Sequence, residues 1–129
     1  MLAISKESSY ALSLLIYLAR NKGIKRLEDV SRRLKLPYKY LTRIALDLKK
    51  AGLVKVKIGR SGGYELGKKG INITLKDVLS IFERQKGVLA CLVKGKRCRV
   101  ENCPQRSAFK LLAQKLDKEA DKIRLKDIK

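Results

Sequence analysis

Three cysteines, Cys91, Cys98 and Cys103, are the chain's only thiols, and they fall in one short stretch. An odd number so closely placed makes no disulfide framework; it reads as a metal or thiol site in a reducing compartment. Six and four residues separate them, unlike the two-residue spacing of zinc fingers and ribbons. Three thiolates on one loop suit an iron–sulfur cluster whose remaining ligand comes from elsewhere. On spacing alone a three-thiolate zinc site, a thiol switch and inert cysteines stay open. Lys94, Lys96, Arg97 and Arg99 share the stretch and would offset the negative charge of a thiolate-bound cluster. The chain has no His, which removes the usual general base and the commonest nitrogen ligand.

A second set of residues carries charge. Thirty-two Lys and Arg stand against twelve Asp and Glu, a formal net charge of +20. The excess is concentrated: from Arg20 to Arg60 fourteen basic residues face only Glu28, Asp29 and Asp47. Such a field favours a polyanion, with nucleic acid the first candidate and a solubilising lysine-rich surface the plain alternative. Lys39, Thr42 and Arg43 stand at helical spacing where base edges would be read. Arg forks onto guanine, and Thr meets a base or the thymine methyl. Tyr38 heads the same segment. Lys49, Lys50, Lys55 and Lys57 are placed for phosphates, which supply affinity and register. Arg60 and its neighbour Ser61 belong to a glycine-rich turn that a narrow minor groove would attract.

These residues need a frame, and the apolar pattern predicts one. Residues 5–20 read as a helix capped by Ser5, with Leu12, Leu15, Ile16 and Ala19 on one face. A short helix follows over about 27–34, then a tight break at Lys35-Leu36-Pro37, then a helix from Tyr38 to Ala51 with Leu41, Ile44, Ala45 and Leu48 inward. Two helices around a three-residue turn make a helix-turn-helix, whose second member enters the major groove. Residues 53–58 alternate apolar and basic, Gly59-Arg60-Ser61-Gly62-Gly63 turns, and Tyr64-Glu65-Leu66 returns: a basic hairpin, or wing. Thr74 caps a further helix, and a last one spans about Gln105 to Arg124 with Phe109, Leu112, Ala113, Leu116, Ala120 and Ile123 in one stripe. Such a stripe can pack on its own domain, but a long terminal helix of that kind more often pairs with a copy of itself.

The expected architecture is therefore mainly α with a small β-hairpin. It comprises a winged helix-turn-helix domain (1–84), a cysteine-bearing loop (85–104) and a long C-terminal dimerisation helix and tail (105–129). No apolar run approaches the roughly 20 residues that span a bilayer, and the N-terminus has no signal-peptide pattern. A cytoplasmic protein without membrane partners is expected. With no His, paired-carboxylate or phosphate-loop motif, no catalytic constellation is visible, so an enzyme is not expected.

In this order of elements the chain resembles the Rrf-type family of winged-helix transcription regulators. The likeness runs through Ile4-Ser5-Lys6, Tyr10-Ala11-Leu12, Tyr40-Leu41, Lys50-Ala51-Gly52-Leu53-Val54, Gly62-Gly63-Tyr64-Glu65-Leu66 and Ile73-Thr74-Leu75-Lys76-Asp77-Val78. The resemblance implies a homodimer joined through the C-terminal helix on a pseudo-palindromic operator in double-stranded DNA, with repression the expected action. In the IscR- and NsrR-like branch three cysteines, here matched by Cys91, Cys98 and Cys103, hold a [2Fe–2S] or [4Fe–4S] cluster that reports redox state, nitric oxide or iron–sulfur status. Such a cluster is expected to be lost in protein prepared in air. CymR-like members lack the trio and act through a protein partner, which is the rival reading beside a non-specific RNA binder. Three positions depart from the pattern. Arg106 stands where IscR-like members place a His ligand, and Ser9 where NsrR-like members place an acid. Ile58 replaces the usual wing arginine. Glu7, two residues before Ser9, is the nearby carboxylate, so Glu7 or Ser9 is the candidate fourth ligand.

Overall fold

Residues 4–83 and 103–128 are described by the computed structural model. The expectations for Cys91 and Cys98, and for Lys94, Lys96, Arg97 and Arg99, lie outside the described residues. Helix α1 (Lys6–Arg20) begins where the Ser5 hydroxyl accepts the Ser8 N–H, the N-cap expected from sequence. It buries Ala11, Leu14, Leu15 and Leu18, a stripe wide enough to be covered from several sides. Helices α2 (Leu27–Leu34) and α3 (Tyr38–Lys50) pack on it and on each other.

The turn between α2 and α3 is a defined structure. Lys35 takes the left-handed conformation (φ 54°, ψ 43°), which costs a side-chain-bearing residue about 1 kcal/mol or more. Hydrogen bonds offset this: the Leu36 N–H donates to the Ser31 carbonyl (3.0 Å), and the Ser31 hydroxyl donates to the Leu36 carbonyl (2.6 Å). Pro37 then leads into α3 with its fixed φ of −60°.

Strands β1 (Val54–Lys57) and β2 (Gly63–Leu66) form one antiparallel hairpin with Val54 opposite Leu66 and Lys57 opposite Gly63. Lys25, ahead of α2, bridges to the other edge of β2: its N–H and carbonyl exchange bonds with Tyr64 at 2.8 and 2.7 Å. The hairpin is thereby anchored on both flanks of the helix pair. Helix α4 (Leu75–Phe82) opens with a capping box between Thr74 and Asp77.

The terminal helix α5 (Pro104–Lys122) stops two residues short of the expected end. Ile123 is extended there because its backbone pairs with the segment before α4: the Leu75 N–H donates to the Ile123 carbonyl (2.8 Å) and the Leu125 N–H to the Ile73 carbonyl (3.0 Å). A 3-10 turn (Leu125–Asp127) follows and buries Leu125 in the same core as α1, α3 and β1. The chain's last residues thus complete the core, which local periodicity around 105–124 did not reveal. The architecture is mainly α with a small β-hairpin: a winged helix-turn-helix followed by a long C-terminal helix.

Candidate nucleic-acid interface

Helix α3 divides cleanly. Leu41, Ile44, Ala45 and Leu48 are buried, and the opposite face leaves Tyr38, Lys39, Thr42, Arg43, Lys49 and Lys50 exposed. The same four apolar residues that hold α3 in the core therefore aim its polar face outward; this is the reason the face is presentable at all. Lys55 and Lys57 are exposed on β1, and Arg60 and Ser61 in the turn beyond it.

Ion pairing neutralises little of the basic excess. Among the described residues the ion pairs involve Arg26 with Glu28, Arg32 with Asp29, Lys69 with Asp77 and Lys122 with Glu119. None of them involves Lys39, Arg43, Lys49, Lys50, Lys55, Lys57 or Arg60. Seven cations on one helix face and its adjoining hairpin can therefore meet phosphate without first breaking a salt bridge to any other described residue.

Polar groups along the helix are set by short-range bonds. The Thr42 hydroxyl donates to the Tyr38 carbonyl at 2.9 Å. This leaves its oxygen lone pairs and its methyl group outward, able to accept from adenine or cytosine amino groups or to pack on a thymine methyl. The Tyr38 hydroxyl donates to Glu28 at 3.4 Å, across the helix pair. Lys49 and Lys50 lie in the last turn, where cations also complement the helix dipole.

Two residues outside the expected set position the frame. Tyr40 packs edge-on against Tyr10, ring centroids 5.7 Å apart, and its hydroxyl donates to Glu7 at 3.1 Å. That hydrogen bond, together with desolvation and the nearby carboxylate charge, holds the Tyr40 phenol above its ordinary value. Glu7 is thus tied to the recognition helix, while Ser9 is exposed on α1. Glu83, at the end of α4, accepts from the Ser5 N–H (2.8 Å), the Ser5 hydroxyl and the buried Ser8 hydroxyl (2.7 Å). No local pattern could have found that clamp, because its partners are 75 and 78 positions away in sequence.

Of the three cysteines, Cys103 is placed. It is the N-cap of α5, partly buried and in no disulfide, and its carbonyl accepts the Ser107 N–H. Among the described residues no group of three His, Cys, Asp or Glu side chains converges on a metal position, and no helix is long and apolar enough to cross a membrane.

With this geometry the chain can be set against known proteins. It is 31% identical over 93 residues to the protein aau3 of Rhizobium meliloti, covering 71% of this chain and 60% of that one. The chain thus spans about three fifths of that relative's length. It is 28% identical over 115 residues to the HTH-type transcriptional regulator IscR of Klebsiella pneumoniae, covering 88% and 71%. Among solved structures it superposes on CymR, the global cysteine regulator of B. subtilis, with a TM-score of 0.77 and 27% identity over 98% of this chain and 95% of that one. A family model described as "Rrf2: Iron-dependent Transcriptional regulator" matches residues 4–129. By fold, by matched length and by the helix-turn-helix and wing described above, the chain belongs to the Rrf2 family of transcriptional regulators.

Proposed function

We propose that the chain is a homodimeric repressor whose hold on a pseudo-palindromic operator responds to an iron–sulfur cluster at Cys91, Cys98 and Cys103. In this reading α3 enters the major groove. Arg43 and Thr42 read base edges, with Tyr38 and Lys39 at the helix head, and Lys49, Lys50, Lys55 and Lys57 neutralise phosphates. Arg60 and Ser61 follow the adjoining minor groove. The exposed leucines of α5, Leu111, Leu112 and Leu116 (53, 40 and 43% exposed), supply the apolar face of the dimer.

The observation that carries the reading is one chain holding two devices: a cation row in no ion pair among the described residues, and a thiol at the head of the helix with the bare leucines. The donor set, three thiols and no His, suits a soft, thiolate-bound group. When bound, an iron–sulfur cluster supplies a redox-active centre that oxidant or nitric oxide degrades. This chain's part is to hold it. As the N-cap of α5, Cys103 sets the start of that helix, so a ligand on its sulfur biases how two copies of α5 meet. That in turn sets the spacing of two α3 helices, which must match about one turn of DNA. Glu7 is the stronger candidate than Ser9 for a fourth ligand because a carboxylate is the better donor, and its link to Tyr40 puts it in contact with α3.

Protein reconstituted without oxygen with iron and sulfide tests this. A visible spectrum, matched iron and sulfide content, and a shift of operator affinity by tenfold or more on cluster loss are expected. All three should vanish in the Cys91→Ser/Cys98→Ser/Cys103→Ser variant. A colourless zinc protein, or an affinity indifferent to the serines, overturns the sensing half. The full-length superposition on CymR favours one second reading, an adaptor that acts through a protein partner. A complex that survives high salt beside weak, unselective DNA binding would establish it.

A further inference from the structure

We propose that Ile58 is an apolar wedge that seats in the DNA minor groove, so that the wing reads the local deformability of the duplex and not charge alone. The inference rests on the DNA-binding reading above and adds a specificity-determining residue to it. Along β1 the side chains alternate: Val54 is buried, Val56 half-buried, Lys55 and Lys57 exposed. Ile58, two residues after Val56, continues the apolar face by strand period, yet it is 91% exposed. The strand ends at Lys57, so the apolar row overhangs the body of the protein. Among the described residues no other large apolar side chain is more than 60% exposed.

The overhang has a defined shape. The Gly62 N–H donates to the Gly59 carbonyl at 3.0 Å, Gly59 takes φ +121°, and a Cβ on Gly62 would stand 2.1 Å from the Lys57 carbonyl oxygen. Backbone geometry alone therefore sets the tip, and Ile58 projects from it without a packed neighbour to fold against. Lys55 and Lys57 hold the opposite face of the same strand and Arg60 follows two residues on, none in an ion pair among the described residues. An apolar knob at the tip of a cationic hairpin has a matching counterpart in the minor groove, whose walls are phosphates and whose floor is sugar and base edge. Apolar side chains inserted there partly unstack a base step, most cheaply at flexible pyrimidine–purine steps, while arginine favours a narrow groove. Scattered surface isoleucines are otherwise ordinary, so the experiment must separate a wedge from a bystander.

Duplexes are selected from a random pool at fixed salt by the wild-type protein and by Ile58→Ala, Ile58→Leu and Arg60→Ala. The selected duplexes are then end-labelled to measure bending by fluorescence transfer. Wild type and Ile58→Leu should enrich flexible steps flanking the positions read by α3, and Ile58→Ala should keep the α3 positions but lose the flanking ones. On the wild-type operator Ile58→Ala should bend DNA less and bind about tenfold more weakly, with binding to random duplex unchanged and the thermal midpoint intact. Arg60→Ala should lose affinity on both. Identical enrichment, bend and affinity for wild type and Ile58→Ala overturn the wedge. A wild-type protein that enriches no sequence overturns the DNA-binding reading itself, and the wedge with it.

Discussion

Helices α3 and α5 are both amphipathic, and they use that property in opposite ways. Thirteen residues of α3 bury Leu41, Ile44, Ala45 and Leu48 within the same chain and turn cations outward. Nineteen residues of α5 bury only Ala120, and leave Leu111, Leu112 and Leu116 uncovered. A helix whose apolar face is spent on its own core has only polar chemistry to offer a partner, and here that chemistry is positive. A helix that keeps its apolar face open gains by meeting another apolar face, since covering what remains exposed of each half-covered leucine releases roughly 1 kcal/mol. The two surfaces therefore differ in what they offer, cations on α3 and uncovered leucines on α5.

The same contrast extends to how each helix is held. Helix α3 is fixed along its whole length by the core, by Tyr40 against Tyr10 and by the turn at Lys35. Helix α5 is tied at its C-terminal end, where Ile123 and Leu125 bond to the backbone flanking Thr74, and it packs on α4. Its other end begins at Cys103.

The contrast can be broken most severely at α5. Leu112→Glu with Leu116→Glu should convert a dimer to monomer by sedimentation, with the monomer still folded because both positions are exposed. Operator affinity should fall about 10²–10⁴-fold as two linked half-sites become one. A variant that stays dimeric would remove the basis for treating α5 as an assembly surface.

A smaller effect sharpens the α3 side. Arg43→Ala should cost about 1–3 kcal/mol on the operator and relax base preference, whereas Lys49→Ala should weaken all duplexes alike and flatten the salt dependence by about one charge. Equal losses for both variants on operator and random DNA would show that the two ends of α3 do not divide the work.

The smallest effect lies in α4, which packs on both α1 and α5. Burial raises the Asp77 carboxyl, but the Thr74 N–H and Lys69 outweigh it, so its value lies below the ordinary 3.8. Its contribution is therefore present above 3.8 and lost as pH falls through the lowered folded value. Asp77→Asn keeps an acceptor for the Thr74 N–H but loses the charge at the helix N-terminus, and should cost about 0.5 kcal/mol at neutral pH. In urea unfolding the gap to wild type should close as the solution is acidified below pH 3.8; a gap independent of pH would place the stabilisation elsewhere than the carboxylate.

Much of this molecule is written locally. Ser5 and Thr74 announce helix starts because a short hydroxyl next to an apolar-periodic segment has one favourable use there. The break at Leu36-Pro37 and the alternation of Val54 to Lys57 likewise follow from φ restriction and strand period, so helix-turn-helix and wing were legible in order. The cation row was legible too, since the spacing of Leu41, Ile44 and Leu48 leaves Lys39, Thr42 and Arg43 nowhere to point but outward. Tertiary structure alone decided the rest. That Glu83 clamps Ser5 and Ser8, that Tyr40 holds Glu7, and that Leu125 closes the core are pairings between distant segments, and no residue advertises a partner 75 positions away. Ile58 shows the limit most plainly. Its period marks it as an inward residue, and only where the core ends in space made it the most exposed large apolar side chain among those described.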